Sequence, residues 1–231
     1  MNSALRPRHA GESGLLGIRR GCCALIVLLL VVVVAAVVLL VRLTATPNLG
    51  AAPVGPADGQ STAAIAGVLV SRDVLPQLTR SGSTGATALV SEHDLTVIAA
   101  QNNPDPQTFT HVQVRARGEQ LWISADSHLG PLPVVVVAKL TLQFQPGGSI
   151  TPDIQEMDVG DQAIPGFMRT AIDPRGNAVI SFGPLLSSAA LRAYGLECVM
   201  VLPDRGVELG FHELAATPDA GYCAAHPILA S

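Results

Sequence analysis

"PVVVVAKLTLQFQ", residues 133–145, decides the fold class. In an extended strand successive side chains point to opposite sides, so Val134, Val136, Ala138, Leu140, Leu142 and Phe144 share one face. The other face begins apolar at Val135 and Val137 and turns polar through Lys139, Thr141 and Gln143. A strand of this kind starts between two layers and ends at solvent. "PGGS" (146–149) reverses the chain, and "DIQEMDVG" (153–160) pairs back, which predicts an antiparallel sheet.

The neighbouring segments agree. In "HVQVRARGEQLWISA" (111–125), Val112, Val114 and Ala116 alternate with Gln113, Arg115 and Arg117. Gly118-Glu119 can turn the chain, and Leu121, Ile123 and Ala125 resume the alternation, giving a hairpin with one apolar face. Before it, "SEHDLTVIAAQ" (91–101) has Asp94 three residues after Ser91, a capping-box spacing, so a short helix is expected. After the long strand, "IPGFMRTAI" (164–172) is expected to be a short helix with Pro165 in its first turn. "DPRGN" reads as a turn and "NAVISF" as a strand, while "LLSSAALRAYG" (185–195) reads as a helix closed by Gly195. "LECVMVL", "PDRG" and "GVELGF" form a second hairpin. Helix, strand, turn, strand thus occurs twice, at 91–125 and 185–211, as a weak repeat without residue-level identity. The fold class is α+β: a twisted antiparallel sheet with short helices packed on it.

Further upstream the sequence changes character. "RRGCCALIVLLLVVVVAAVVLLVR" (19–42) has arginines at its ends and no charge between them. The 21 residues from Gly21 to Val41 would span roughly 31 Å as a helix, close to the hydrocarbon thickness of a bilayer. A secretory signal core is shorter, about 7–15 residues. The best cleavage point nearby, after Gly50-Ala51-Ala52, would place Pro53 next. The run therefore reads as an uncleaved anchor. Arg6, Arg8, Arg19 and Arg20 precede it against Glu12 alone, whereas nine basic and seventeen acidic residues follow Arg42, a net of −8. A basic head and an acidic body place the N-terminus in the cytoplasm by the positive-inside rule. The acidic body also excludes nucleic acid as a partner. Cys22 and Cys23 at the cytoplasmic edge read as palmitoylation sites or as small residues of the helix.

The expected organisation is a basic cytoplasmic tail (1–20), a transmembrane helix (21–42), a Pro/Gly/Ala-rich flexible stalk (43–64), an extracytoplasmic α+β domain (65–212) and a mobile tail (213–231).

The chemistry-bearing residues are few. Cys198 and Cys223 are the only cysteines beyond the anchor. They either pair in an oxidising compartment or remain free thiols. A bridge across about 25 residues would contribute about 3 kcal/mol on the chain-entropy model. No metal set is expected, because His212 and His226 match no familiar ligand spacing. Ser91, His93 and Asp94 are neighbours at a helix start, where they point apart, so they do not form a triad. No nucleophile elbow, zinc-protease, P-loop or dinucleotide motif occurs, and no catalytic residue or cofactor is expected. Asp153, Glu156, Asp158 and Asp161 read either as a calcium loop or, by strand alternation, as a charged solvated face. The aliphatic strand faces either close on one another as core or line a slot for acyl chains. In the second case Val134, Val136, Leu140, Leu142 and Phe144 face the ligand.

The order of segments over residues 89–172 resembles bacterial membrane-anchored envelope domains of the LmeA-like and YpmS-like kind, related to tubular lipid-binding folds. "LVSEHDLTVIAA" resembles their opening helix and "VQVRARGEQLWISA" their hairpin, and Val159, Gly160, Ile164 and Pro165 fit their return segment. The resemblance implies an extracytoplasmic lipid- or amphiphile-binding module and carries no catalytic residues. The expected function is thus a non-catalytic, single-pass membrane protein whose outer domain binds lipid or another apolar envelope ligand. The alternative is an envelope scaffold or protein-interaction module with no ligand cavity. The partners expected are the membrane, a lipid and an envelope protein.

Overall fold

The computed structural model describes residues 14–49, 61–80, 85–145, 149–165, 182–214 and 222–225, with side chains in the first helix from residue 27 on. The chain divides into two compact units, Met1–Arg42 and Leu43–Ser231. The first is built on α1 (Gly14–Leu43), 30 residues long. Every described side chain from Val27 to Arg42 is exposed, on all sides of the helix. Among the described residues no helix is long and apolar enough to cross a membrane.

The second unit is α+β with antiparallel sheets and few helices. It opens on α2 (Thr62–Leu69), a π-helical turn (Val70–Val74) and α3 (Leu75–Leu78). Order begins before the expected Ile65. The Ser61 side chain accepts from the Ala64 N–H, and Gln101 Oε1 accepts from both Thr62 N (2.9 Å) and Thr62 Oγ1 (2.8 Å). Two donors at the start of α2 are thereby satisfied from a helix far along the chain.

The strands form two sheets, where the sequence predicted one. They are β1 (Gly85–Ser91), β2 (Thr110–Arg117), β3 (Gln120–Leu129), β4 (Leu132–Gln145), β5 (Ser149–Val159), β6 (Gln162–Ala163), β7 (Tyr194–Leu202) and β8 (Gly206–Glu213). One sheet has the order β1-β8-β7 and the other β2-β3-β4-β5-β6. The split follows from β1, which the sequence reading missed. It pairs with β8 from Gly85↔His212 to Ser91↔Gly206 and so draws the last hairpin away from the first. Its signal was a weak alternation in which Ala86, Ala88 and Val90 face the core.

The helix α4 (Glu92–Gln101) carries the expected capping box: Ser91 Oγ accepts from Asp94 N, and Asp94 Oδ2 accepts from Ser91 N. Its buried Leu95, Val97 and Ile98 meet Val114, Ala116, Leu121, Leu140, Leu209 and Phe211 in one core. Burying such side chains is the dominant stabilising contribution, roughly 1.5–3 kcal/mol each.

Two sheet edges are closed by side chains rather than strands. Along β1, Gln77 bonds both Thr87 N and Thr87 O, and Asp73 accepts from Leu89 N. Along β2, Thr96 Oγ1 accepts from Val114 N at 3.0 Å and Glu92 Oε1 from Ala116 N at 2.7 Å. Strand addition at these edges is blocked because the groups it needs are already used.

The expected helix over residues 185–195 is reduced to one turn, α5 (Gly183–Leu186). Tyr194 and Gly195 are instead the first residues of β7, paired with Glu213 and His212. The ladder bonds outweigh a segment whose Ser187-Ser188 pair favours local turns over helix. Gly195 serves close approach rather than a helix cap, since a Cβ there would run into the His212 ring. The two units of the weak repeat end in different sheets. The helix expected at 164–172, the turn and the strand before Phe182 lie almost wholly outside the described residues.

At the C-terminus β8 extends to Glu213, one residue beyond the expected domain end. Cys198 is disulfide-bonded to Cys223, with Cα atoms 6.0 Å apart. The bridge fixes α6 (Tyr222–Ala225) against β7 and β8 and leaves Cys223 buried, so this part of the tail is anchored.

Candidate functional site

The outward face of the five-stranded sheet carries the densest group of chemistry-bearing side chains. Cross-strand pairing brings together Arg115↔Trp122, Trp122↔Lys139 and Lys139↔Glu156, with Val137↔Asp158 alongside. A bulge in β5 makes this possible. Leu140 pairs with Ile154 while Lys139 pairs with Glu156, so Gln155 is the extra residue. It shifts the inward position from Ile154 to Met157 and sends Glu156 and Asp158 outward together.

That face is charged and outward, as the alternation predicted, with Glu156 well exposed, but a lysine is paired into it. Lys139 Nζ lies 2.8 Å from Glu156 Oε2 and 3.0 Å from Asp158 Oδ2. It also stands 4.9 Å from the centroid of the Trp122 ring, in cation–π range. Burial works against the ammonium charge, but the hydrogen bonds to Glu156 and Asp158 outweigh it and raise the Lys139 pKa above the ordinary 10.5. A raised lysine pKa means that the ion pairs stabilise the fold fully below the ordinary value. That contribution is lost only as pH rises through the raised one. Lys139 is therefore a fixed cation at neutral pH and not an amine nucleophile.

The chain returns over this face through Pro47–Leu49. The Leu49 carbonyl accepts from Arg115 Nε (3.2 Å) and Arg117 Nη2 (2.9 Å). Alternation had placed Arg115 with polar Gln113 and Arg117, yet it is buried at 2% exposure. Its Nη1 faces Glu92 Oε2 at 3.4 Å, and burial lowers its pKa despite that partner. Arg117 pairs with Asp204 in the β7–β8 turn, and Asp204 N donates to the Ala116 carbonyl at 2.9 Å. Leu49, within the expected stalk, is thus tied to β2 by two arginines.

Between Pro47-Asn48 and the sheet lies a pocket of about 320 Å³. Trp122, Val137 and Lys139 line it from β3 and β4, and Glu156, Asp158, Asp161 and Ala163 from the far side. Gly160 shapes the turn there at φ +58°, a left-handed conformation that glycine adopts without strain. The Trp122 Nε1 atom is buried and has no acceptor among the described residues. Three carboxylates against one ammonium give the lining a formal charge of −2.

The other sequence candidates are dispersed or enclosed. Leu140 is fully buried in the core, and Val136, Leu142 and Phe144 are half-buried against it. Val134 is buried apart from that core. No apolar slot opens along these five residues among the described pockets. A smaller depression of about 240 Å³ lies elsewhere, lined by Leu186, Leu191, Tyr194, Leu196, Phe211 and Leu214. His111 Nδ1 lies 3.0 Å from Asp126 Oδ2, with both side chains exposed. His212 and Glu197, 3.6 Å apart and buried in the smaller sheet, were not foreseen. Among the described residues no three His, Cys, Asp or Glu side chains come together to hold a metal ion. The chain matches no protein family, no curated protein and no solved structure.

Proposed function

We propose that this chain is a single-pass membrane protein that presents a non-catalytic binding domain outside the cell membrane, with its N-terminus in the cytoplasm. One observation carries the reading. The helix α1 exposes Val and Leu on every described side from Val27 to Val41, a surface that water disfavours and hydrocarbon accepts. The arginines on its N-terminal side and the acidic domain beyond it supply the orientation. A disulfide between Cys198 and Cys223 suits an oxidising compartment.

The cysteines make a topology test. A membrane-impermeant maleimide added to intact cells should label no cysteine of the full chain. After reduction it should label Cys198 and Cys223 but leave Cys22 and Cys23 unlabelled until the membrane is permeabilised. Labelling of Cys22 or Cys23 on intact cells would reverse the orientation.

Within this reading the domain acts as an interaction module, a reading supported by the enclosure of Ala138 and Leu140 of β4 in the core. A lipid-binding role is the second reading, favoured by the apolar depression at Leu191, Tyr194 and Phe211. Mass spectrometry of lipids co-purified with the full chain separates the two. Stoichiometric lipid that is lost on Leu214→Glu, at an exposed residue of that depression, supports the second, and lipid retained equally by that variant removes it.

A further inference from the structure

The helical segment that opens the second unit, α2 to α3, has an apolar outer face bordered by cations. Its inner side, Ile65, Leu69, Val70 and Val74, is buried in the core. Its outer side is not needed there. Among the described residues of the second unit four large apolar side chains are exposed, and two of them, Val68 and Leu75, stand on this one segment. Ala64 and Pro76 are exposed beside them. We infer that this face rests on an anionic lipid surface, with Val68 and Leu75 dipping between the headgroups and Arg72 and Arg80 meeting the lipid phosphates. The inference rests on the anchoring of α1 proposed above, which brings a bilayer to the domain, but not on which side of that bilayer the domain lies.

Charge selects that partner. Nine basic and seventeen acidic residues follow Arg42, so the second unit as a whole is repelled by anionic headgroups. Residues 61–80 reverse the sign, with Arg72 and Arg80 against Asp73 alone. Both arginines are exposed. Asp73 is turned inward, where it pairs with Arg72 and accepts from the Leu89 N–H. Asp94 lies with Arg72 and Val68 around a depression of about 200 Å³, but its carboxylate is taken up by Ser91 N and Ser91 Oγ at the start of α4. The groups left facing outward are therefore aliphatic or cationic. That combination suits a helix lying in the headgroup plane, where aliphatic side chains enter the acyl boundary and arginines stay at phosphate level. Two shallow side chains hold a free protein weakly. In an anchored chain the encounter is intramolecular, so a weak surface is enough.

The test uses the full chain with Cys22→Ser and Cys23→Ser, so that a thiol dye reaches only an introduced cysteine while the Cys198–Cys223 bridge stays closed. A nitrobenzoxadiazole dye is placed in turn at Val68→Cys, Leu75→Cys, Leu129→Cys and Val34→Cys. Leu129 is an exposed leucine of β3, and Val34 reports α1. Each protein is reconstituted in phosphatidylcholine vesicles with and without phosphatidylglycerol, carrying lipids with a doxyl quencher at a shallow or a deep acyl position. The expected result is deep quenching at Val34, shallow quenching at Val68 and Leu75 that rises with phosphatidylglycerol, and none at Leu129. Arg80→Gln should lower the docked-to-undocked ratio about five-fold, with Val34 quenching and thermal unfolding those of the parent. Quenching at Val34 with none at Val68 or Leu75 overturns this inference and leaves the anchor standing. No quenching at Val34 overturns the anchor, and the inference with it. Quenching at Val68 and Leu75 that ignores both phosphatidylglycerol and Arg80→Gln overturns the part given to anionic lipid. Shielding of those two dyes in detergent micelles that grows with protein concentration, without quenching in vesicles, assigns the face to a second copy of the chain and overturns the inference.

Discussion

Leu140→Ala is expected to destabilise the outer domain by about 2–5 kcal/mol. Leu140 has no exposed surface and stands where β4 faces β3 and β5, opposite Leu121 and Ile154. Truncation removes the transfer contribution of three carbons and leaves a cavity that two ladder-bonded strands cannot collapse into. In a domain of this size the midpoint of thermal unfolding should fall by about 2–4 °C for each kcal/mol lost. Leu142→Ala is the internal comparison. It lies two residues along the same strand face but is only half-buried, and a clearly smaller loss is expected. Equal losses for the two would mean that the face is packed by something other than the core described above. A stabilising effect of added lipid on the Leu140→Ala protein, absent from the parent, would reopen the slot reading of this strand.

Glu92→Ala is the second large effect, at about 3–5 kcal/mol. Glu92 does two jobs at the first turn of α4. Its Oε1 satisfies the Ala116 N–H on the edge of β2, and its Oε2 faces the buried Arg115 guanidinium. Alanine leaves a buried arginine without this carboxylate and an edge amide without its acceptor, which is the costly way to break such a pair. Glu92→Gln keeps an acceptor and drops the charge, so its loss should be smaller. The Glu92→Gln/Arg115→Met double variant should recover most of what Glu92→Ala loses, because an apolar residue of similar length removes the charge that was left stranded. Denaturant unfolding of the full chain measures all three. Amide hydrogen exchange at Ala116 should accelerate most in Glu92→Ala, and unchanged exchange there would remove Glu92 from its role on the β2 edge.

The elements legible in the sequence were those whose signal is local. The hairpin at 111–125 and the strand at 133–145 announce themselves by period-two alternation, and Ser91 with Asp94 marks a helix start by spacing alone. The candidate site was only half legible. Glu156 and Asp158 were placed on one face, but not beside Lys139 and Trp122, because that depends on strand register and on a bulge at Gln155 that no local pattern signals. Arg115 was misjudged for a related reason. Its position in the strand is outward, and only the return of Leu49 and the approach of Glu92 bury that outward position. Residues 185–195 show the reverse error, where a helical pattern gave way to the pairing of Tyr194 and Gly195 with β8.

Taken alone, the sequence determined the α+β class, the antiparallel hairpins, the capped helix and the apolar run with its charge asymmetry. Each depends on residues within a few positions of one another, where periodicity and capping act directly. The tertiary structure decided that the strands divide into two sheets, that Cys198 meets Cys223, and that Pro47 and Asn48 line a pocket with Trp122 and Lys139. These depend on contacts between residues tens of positions apart, and such contacts are selected by the packing of the whole core.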